Sequence, residues 1–222
     1  MPEVDVKQKV LAANQAAAAA LRDSFRDQRT LVVNLISSPG SGKTTLLEAT
    51  VARMKERFRL GGLDGDIATE RDADRLRKAG IPARQILTGG ACHLDARQVD
   101  AALAEEGNRL RGLDVLFIEN VGNLICPTSY DLGEDFKIVL LSTAEGDDKP
   151  FKYPAIFSKA KVTVLTKVDL LPHVDFDVAA VKQQVATLNP QARLLEVSAR
   201  TGEGMDGWCA LLEGALAGKR AS

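Results

Sequence analysis

The stretch from Ser37 to Thr45 has the residue types and the spacing that hold a polyphosphate. Glycines between an apolar run and a helical pattern make a turn whose backbone N–H groups surround an anion, which the helix dipole also attracts. Lys43 is spaced to reach the β- and γ-phosphates, and the Thr44 hydroxyl is spaced to bind Mg²⁺. Ser37 stands where the usual pattern has glycine. The predicted phosphate contacts are Gly40, Ser41, Gly42, Lys43, Thr44 and Thr45.

Two later loops carry residues that select guanine. Thr166-Lys167-Val168-Asp169 is a variant of the Asn-Lys-x-Asp pattern, with Thr in place of Asn. The Asp169 carboxylate can accept hydrogen bonds from the ring N–H and the exocyclic amine of guanine, a donor pair that adenine lacks. The stem of Lys167 can cover the base, and the backbone N–H groups of Ser198 and Ala199 can donate to its carbonyl oxygen. The two loops together predict GTP rather than ATP.

Acidic residues follow two predicted strands, where a nucleotide would bind. One acidic stretch begins with Asp66 at a strand end, and Glu119 closes the apolar run 114–118. In open α/β sheets the carboxyl ends of the strands line the ligand crevice, so these carboxylates are expected near Mg²⁺ and the attacking water. For Glu70 and Asp74, further along the first stretch, a solvated helix start explains the charge equally well.

A possible metal site comes from Cys92 and His93, which are adjacent in the chain. A thiolate beside an imidazole suits Zn²⁺ or Ni²⁺, although two ligands alone make a weak site and a structural role stays open. Gly122 would let its backbone N–H approach the γ-phosphate, and Cys126 follows on the same loop. A metal ligand at Cys126 would therefore be mechanically tied to the nucleotide state.

The composition excludes several classes of partner. Lys and Arg number 29 against 30 Asp and Glu, for a net charge of -1, which argues against nucleic acid as the main partner. The longest apolar runs fall short of the ~20 residues of a membrane span, and the N-terminus shows no signal-peptide pattern. The 3 cysteines indicate free thiols or metal ligands rather than disulfides. A cytoplasmic protein without a membrane partner is expected.

Alternating strand and helix patterns predict an α/β fold that presents these loops at one edge of a sheet. A helix over 4–26 forms an N-terminal helical arm, residues 1–29, which either packs on the flank or contacts a partner. Residues 30–222 form one GTPase domain with an embedded metal site, in which Asp95 caps a helix and Trp208 and Cys209 pack in the core. A charged loop is expected over 142–154. The strand patterns cover 31–36, 60–65, 84–87, 114–118, 136–141, 162–165 and 194–197, of which the glycine-rich 60–65 is the weakest.

With these loops in place, the chain closely resembles the HypB family, GTPases that help to deliver nickel to [NiFe]-hydrogenase. The match is carried by the phosphate loop, with Ser37 as the family's own variant, and by three further motifs. These are Gly-Ala-Cys-His-Leu-Asp-Ala at 90–96, Glu-Asn-Val-Gly-Asn-Leu-Ile-Cys-Pro at 119–127, and Glu-Gly-Asp-Asp-Lys-Pro-Phe-Lys-Tyr-Pro at 145–154.

The resemblance implies a P-loop NTPase of the SIMIBI type, with three α/β/α layers and a mostly parallel central sheet. It also implies a GTP-dependent homodimer with a nickel or zinc site at its interface. The implied partners are a HypA-type metallochaperone and the hydrogenase large subunit precursor. The metal ligands would be Cys92, His93 and Cys126; the Mg²⁺ ligands Thr44, Asp66 and Glu119; and the catalytic residues Lys43, Asp66, Asp72 and Glu119.

Several alternatives stay open. Which of Asp66, Asp72 and Glu119 orients the water is undecided, and slow hydrolysis is expected because no arginine finger is evident. The N-terminus lacks the Cys- or His-rich motif of some family members, so nickel storage there is not expected. A urease-type nickel GTPase and a GTP-switched interaction module without a metal role are the rival functions.

Overall fold

A seven-stranded parallel sheet runs through residues 2–66 and 71–221, which are the residues that the computed structural model describes, with side chains from residue 8 onward. The strands are β1 (Leu31–Ser37), β2 (Leu60–Asp66), β3 (Ala83–Leu87), β4 (Val115–Glu119), β5 (Phe136–Ser142), β6 (Val162–Thr166) and β7 (Arg193–Val197). Their spatial order is β3-β2-β4-β1-β5-β6-β7, and each neighbouring pair is parallel. The predicted parallel sheet is confirmed.

Helices cover both faces of this sheet. They are α1 (Pro2–Asp27), α2 (Lys43–Met54), α3 (Arg71–Ala79), α4 (Ala96–Glu106), α5 (Lys149–Lys152), α6 (Pro154–Lys159), α7 (Val178–Leu188) and α8 (Met205–Ala221). Asp95 caps α4 as predicted, because its side chain accepts from the Gln98 N–H while the Gln98 side chain accepts from the Asp95 N–H. Among the described helices, none has the length and apolar character that crossing a membrane requires.

Strand β1 is buried along its whole length and contributes to the core on both sides of the sheet. Leu31, Val33 and Leu35 belong to the core beneath α2 and α8, whereas Val32 faces the core formed with α1 and α4. Because successive side chains of a strand point to opposite faces, one apolar run supplies both layers. The phosphate loop therefore starts from a strand that is buried on both faces and paired with β4 and β5.

The glycines of β2 make close packing possible. A Cβ atom at Gly65 would lie 2.7 Å from Leu94 Cγ, and one at Gly61 would collide with Leu113 Cδ1. Glycine is a poor strand former, which made 60–65 a weak strand pattern. The same glycines allow the Leu94 and Leu113 side chains to pack against the β2 backbone.

Helix α1 packs against α4 and buries Ala18, Leu21 and Phe25. The buried Asn14 side chain donates to the Asp131 carbonyl at 2.8 Å and accepts from the Ala96 N–H at 2.8 Å. The described part of the helix thus lies on the flank of the domain. Its separation as an arm over 1–29 stays a prediction.

The loop expected over 142–154 was wrong in part. A single 3₁₀ turn spans Thr143–Glu145, and α5 follows after Asp148. Pro150 lies at the start of α5, where its fixed backbone angle and missing N–H suit a helix N-terminus. The charged composition concealed these short elements.

We expect Trp208→Ala to lower the free energy of unfolding by about 3–5 kcal/mol, since truncating a large buried aromatic leaves a cavity. Trp208 is fully buried where α8 meets α2, and its indole N–H donates to Thr50 Oγ1 at 2.8 Å. The control is Phe151→Ala, which removes an exposed aromatic and should change stability by less than about 0.5 kcal/mol. Denaturant unfolding measures both; equal losses would contradict this assignment of the core.

Candidate nucleotide and metal sites

The phosphate loop connects the end of β1 to the start of α2. Gly40 and Gly42 have φ angles of 77° and 93°, which side chains rarely adopt, so the turn requires glycine at both positions. Ser37 lies in β1, outside that conformation, and its hydroxyl oxygen accepts from the buried Lys43 Nζ at 2.9 Å. The serine that departs from the usual pattern therefore holds the lysine ammonium at the mouth of the loop.

An acidic cavity of about 480 Å³ lies beside this loop, at the carboxyl ends of β2 and β4. It is a suitable size for a small ligand. The cavity brings together the predicted residues of the phosphate and magnesium sites with several residues that had no predicted role. The predicted lining residues are Gly40, Gly42, Lys43, Thr44, Thr45, Asp66, Asp72, Glu119 and Gly122; the additional ones include Asp64, Arg75 and Asn120.

Asp64 and Glu119 are buried carboxylates on neighbouring strands, with their Cα atoms in register. Glu119 Oε1 accepts from Thr44 Oγ1 at 2.9 Å, whereas Glu119 Oε2 and Asp64 Oδ2 have no hydrogen-bond partner among the described residues. Burial raises the pKa of Glu119 to about 8 and that of Asp64 to about 7. Two buried acceptor oxygens facing one cavity fit a hard cation. Asp64 had no predicted role, because its burial beside Glu119 arises only when β2 pairs with β4.

Asp66 and Asp72 reach the cavity from its outer side. Asp66 ends β2, and Asp72 lies in the first turn of α3, 3.1 Å from the Arg75 guanidinium. Arg75 also contacts Glu48 at 2.6 Å and Thr45 Oγ1 at 3.1 Å. The structure thus adds an arginine to the cavity wall, although its guanidinium is held by carboxylates. Glu70, the other acidic candidate of this stretch, falls outside the described residues.

A second cavity of about 210 Å³ adjoins the first and has Gly42, Thr45 and Lys167 in common with it. Asp169 and Ala199 line this cavity, so the two predicted base-reading loops meet there. The buried Ser198 hydroxyl donates to Asp169 Oδ1 at 2.6 Å, which fixes the orientation of the carboxylate.

Hydrogen bonds from Thr166 and Lys167 connect the predicted base-reading loop to the phosphate loop. The Thr166 hydroxyl donates to the Ser41 carbonyl at 2.7 Å, and Lys167 Nζ donates to the Gly40 carbonyl at 2.7 Å. Lys167 adopts a left-handed backbone with φ 59°, which directs its stem across the loop. Threonine in place of asparagine still provides a donor between the two loops.

Cys92, His93 and Cys126 come together in the loops that follow β3 and β4. One ligand atom from each lies within 4.8 Å of the others, and the side chains are half-buried. A hydrogen bond with Cys126 raises the pKa of the Cys92 thiol, and burial lowers the pKa of His93, which favours the neutral imidazole that binds metals. The His93 ring lies 3.8 Å from the Tyr130 ring, centroid to centroid. The adjacent Cys92 and His93 alone were weak evidence for a metal site, and the structure places Cys126 beside them as a third side chain of ligand type.

The segment from Glu119 to Cys126 joins the cavity to the cluster. Gly122 lies against the phosphate loop so closely that a Cβ there would be 2.8 Å from Pro39 Cγ. Next along the segment, the Asn123 side chain donates to the Cys92 carbonyl at 3.2 Å. One short loop therefore contacts both the nucleotide cavity and the metal-ligand cluster.

Comparison with known proteins agrees with this arrangement. Residues 31–196 match the model of the family described as CobW/HypB/UreG, nucleotide-binding domain. The hydrogenase maturation factor HypB of Azotobacter vinelandii is 49% identical over 208 residues, covering 94% of this chain and 68% of the relative. The hydrogenase/urease maturation factor HypB of Helicobacter pylori is 42% identical over 206 residues, covering 92% of this chain and 84% of the relative.

Solved structures agree with the sequence relatives. The crystal structure of HypB from Helicobacter pylori in complex with nickel superimposes with a TM-score of 0.86 at 42% identity, covering 94% of this chain and 96% of that chain. The chain therefore belongs to the HypB family, within the CobW/HypB/UreG nucleotide-binding domains.

Proposed function

We propose that this chain is a GTP-hydrolysing metallochaperone that assists nickel insertion into [NiFe]-hydrogenase. One observation carries the proposal: the loop that lines the nucleotide cavity at Gly122 continues to Cys126, within the cluster of three metal-ligand side chains. Thiolates and a neutral imidazole suit Ni²⁺ or Zn²⁺. The relatives' description as hydrogenase maturation factors and the nickel complex of the Helicobacter pylori protein support nickel as the cargo.

GTP is the nucleotide that the two joined cavities favour. Its base would lie by Asp169 and Ala199 in the smaller cavity, with the buried Ser198 hydroxyl bonded to Asp169. Its phosphates would follow Gly40 to Thr45 beside the larger one. Hydrolysis would rest on positioning and on neutralisation of the phosphate charge by Lys43 and backbone N–H groups. Asp66, Asp72 and Glu119 are the candidates that would orient the attacking water, and slow turnover is expected because carboxylates hold Arg75.

A magnesium ion would be held by the Thr44 hydroxyl and by Asp66 and Glu119. The partnerless oxygens of Asp64 and Glu119 fit such an ion, so we add Asp64 to the residues that face it. Bound there, the ion would supply positive charge beside the β- and γ-phosphates.

GTP-dependent dimerisation is part of the proposal. The cluster offers three protein ligands, whereas a closed zinc or nickel site commonly has four, so a second copy could complete the set. Ile125, next to Cys126, is 65% exposed, an apolar side chain suited to such a contact. A HypA-type metallochaperone and the hydrogenase large subunit precursor are the proposed partners. A urease-related role stays an alternative, since the Helicobacter pylori relative is described as a hydrogenase/urease maturation factor.

Nickel titration tests the metal role. We expect the affinities with GDP and with a non-hydrolysable GTP analogue to differ by about 5–150-fold, the usual range of coupling between two sites. Cys92→Ala should weaken nickel binding at least about 10–100-fold, as loss of even an outer-shell partner does. The matched control is Cys209→Ala, which removes a buried thiol from the core of α8. Equal, weak binding in all states and variants would leave only a GTP-switched interaction module.

A competition assay tests the base-reading loop. Asp169→Asn should lower the affinity for GDP about 10–100-fold, because hydrogen bonds to a charged group contribute about 1.5–3 kcal/mol. The preference for GTP over ATP should shrink by a similar factor, while Asp175→Asn at a nearby exposed carboxylate should change neither. If ATP already competes equally with GTP in the unmodified protein, the assignment is wrong.

Manganese binding, followed by electron paramagnetic resonance with GDP present, tests the role of Asp64. Asp64→Asn should weaken binding of the ion about tenfold or more, as lost supporting groups do at metal sites. Asp114→Asn is the control, since Asp114 is also buried but lies at the opposite end of β4, bonded to the Arg59 N–H. Unchanged ion affinity in Asp64→Asn would remove this residue from the site.

A further inference from the structure

Asn120 is a buried side chain that the proposed reaction does not use. It follows β4 directly, is 1% exposed, and lines the nucleotide cavity beside Glu119. Its backbone N–H donates to the Leu35 carbonyl at 2.9 Å, which anchors the main chain to β1. The backbone is therefore fixed, and the carboxamide is held by its own hydrogen bonds.

The Asn120 carboxamide oxygen is shared between two segments. It accepts from the Val121 N–H at 3.0 Å, at the start of the segment that leads to Cys126. It also accepts from the Leu94 N–H at 3.2 Å, and Leu94 is the residue after His93. An amide oxygen has two lone pairs, so both are occupied. A change in the Val121 peptide therefore alters the same oxygen that holds the Cys92–His93 segment.

A series of polar contacts connects the Asn120 amide nitrogen to Tyr130, which packs on His93. The amide nitrogen donates to Asn34 Oδ1 at 3.2 Å, and Asn34 lies next to Glu134 in the same interior. Glu134 forms a 3.0 Å salt bridge with Lys137, whose ammonium donates to the Tyr130 carbonyl at 2.5 Å. Tyr130 is the residue whose ring lies on His93. Leu94 is thus bonded to Asn120 directly, whereas Tyr130 is linked to it through Lys137, Glu134 and Asn34.

We propose that Asn120 is the positioning residue through which the nucleotide state reaches the Cys92–His93 segment. This inference rests on the proposed function. A γ-phosphate that recruits the Gly122 N–H turns the peptides next to it, because Gly122 packs so closely against Pro39 that a Cβ there would lie 2.8 Å from Pro39 Cγ. The Val121 N–H then leaves the Asn120 oxygen, and the bond to Leu94 changes with it. The distances among the ligand atoms of Cys92, His93 and Cys126 then change.

Asn14 provides a matched comparison. It is 2% exposed, and its carboxamide oxygen accepts from the Ala96 N–H, two residues beyond Leu94. The carboxamide oxygens of Asn14 and Asn120 therefore each accept a hydrogen bond from a backbone N–H of the segment 94–96. Asn120 lines the nucleotide cavity, whereas Asn14 lies on α1 and bonds to the Asp131 carbonyl.

The experiment measures Ni²⁺ affinity of the full chain with GDP and with a non-hydrolysable GTP analogue, for the unmodified protein, Asn120→Ala and Asn14→Ala. Coupling of about tenfold is expected in the unmodified protein and in Asn14→Ala, falling below about twofold in Asn120→Ala. Full coupling in Asn120→Ala would overturn the inference while leaving the metallochaperone intact. Loss of coupling in both variants would also overturn it, since general loosening of the segment would then be the cause.

Further outcomes are informative. If the unmodified protein binds nickel weakly and equally with both nucleotides, the proposed function fails and the inference fails with it. Tight nickel binding that is the same with both nucleotides would overturn the inference alone. If Asn120→Ala does not fold, amide hydrogen exchange of the unmodified protein decides the question. The Leu94 amide should change its protection between GDP and the GTP analogue, whereas the Ala96 amide should not. Identical Leu94 protection in a protein whose nickel affinity does change would overturn the inference.

Discussion

The buried Glu119 carboxylate, hydrogen-bonded to Thr44, is the interaction on which the rest of the site depends. It joins the end of β4 to the first turn of α2, so the acidic wall and the phosphate loop share one fixed contact. Burial raises the pKa of this carboxyl to about 8, and Asp64 in register with it is shifted in the same direction. Such a pair is costly without a cation, and a nucleotide with its metal ion would satisfy it.

The same strand end organises the metal-ligand cluster. The main chain after Glu119 lines the cavity as far as Gly122, where it lies against the phosphate loop, and then continues to Cys126. The segment lies against Pro39 and is hydrogen-bonded to Cys92 and Leu94, so it contacts both the phosphate loop and the Cys92–His93 segment. Coupling between nucleotide and metal needs an element that both ligands bias, and this segment is the candidate.

Much of this could be predicted from the sequence, for physical reasons. Lys43, Thr44 and Glu119 were found because a phosphate loop and an acidic strand end have local patterns, and the apolar strands set the parallel sheet. Asp64 was missed because its environment is created by tertiary packing. Strand β2 contains glycines at the positions where the Leu94 and Leu113 side chains pack against its backbone. The grouping of Cys92, His93 and Cys126 could be reached only as candidates, since two loops separated by α4 and β4 meet there.

If the nucleotide and metal sites both bias one segment, thermodynamic linkage requires that nickel also change the affinity for the nucleotide. The most direct measurement is the affinity for a non-hydrolysable GTP analogue with and without saturating Ni²⁺, by isothermal titration calorimetry. We expect nickel to change the affinity for the analogue by the same factor by which the analogue changes the affinity for nickel, because coupling free energies are reciprocal. An affinity for the analogue that nickel leaves unchanged, with nickel bound at Cys92, would contradict it.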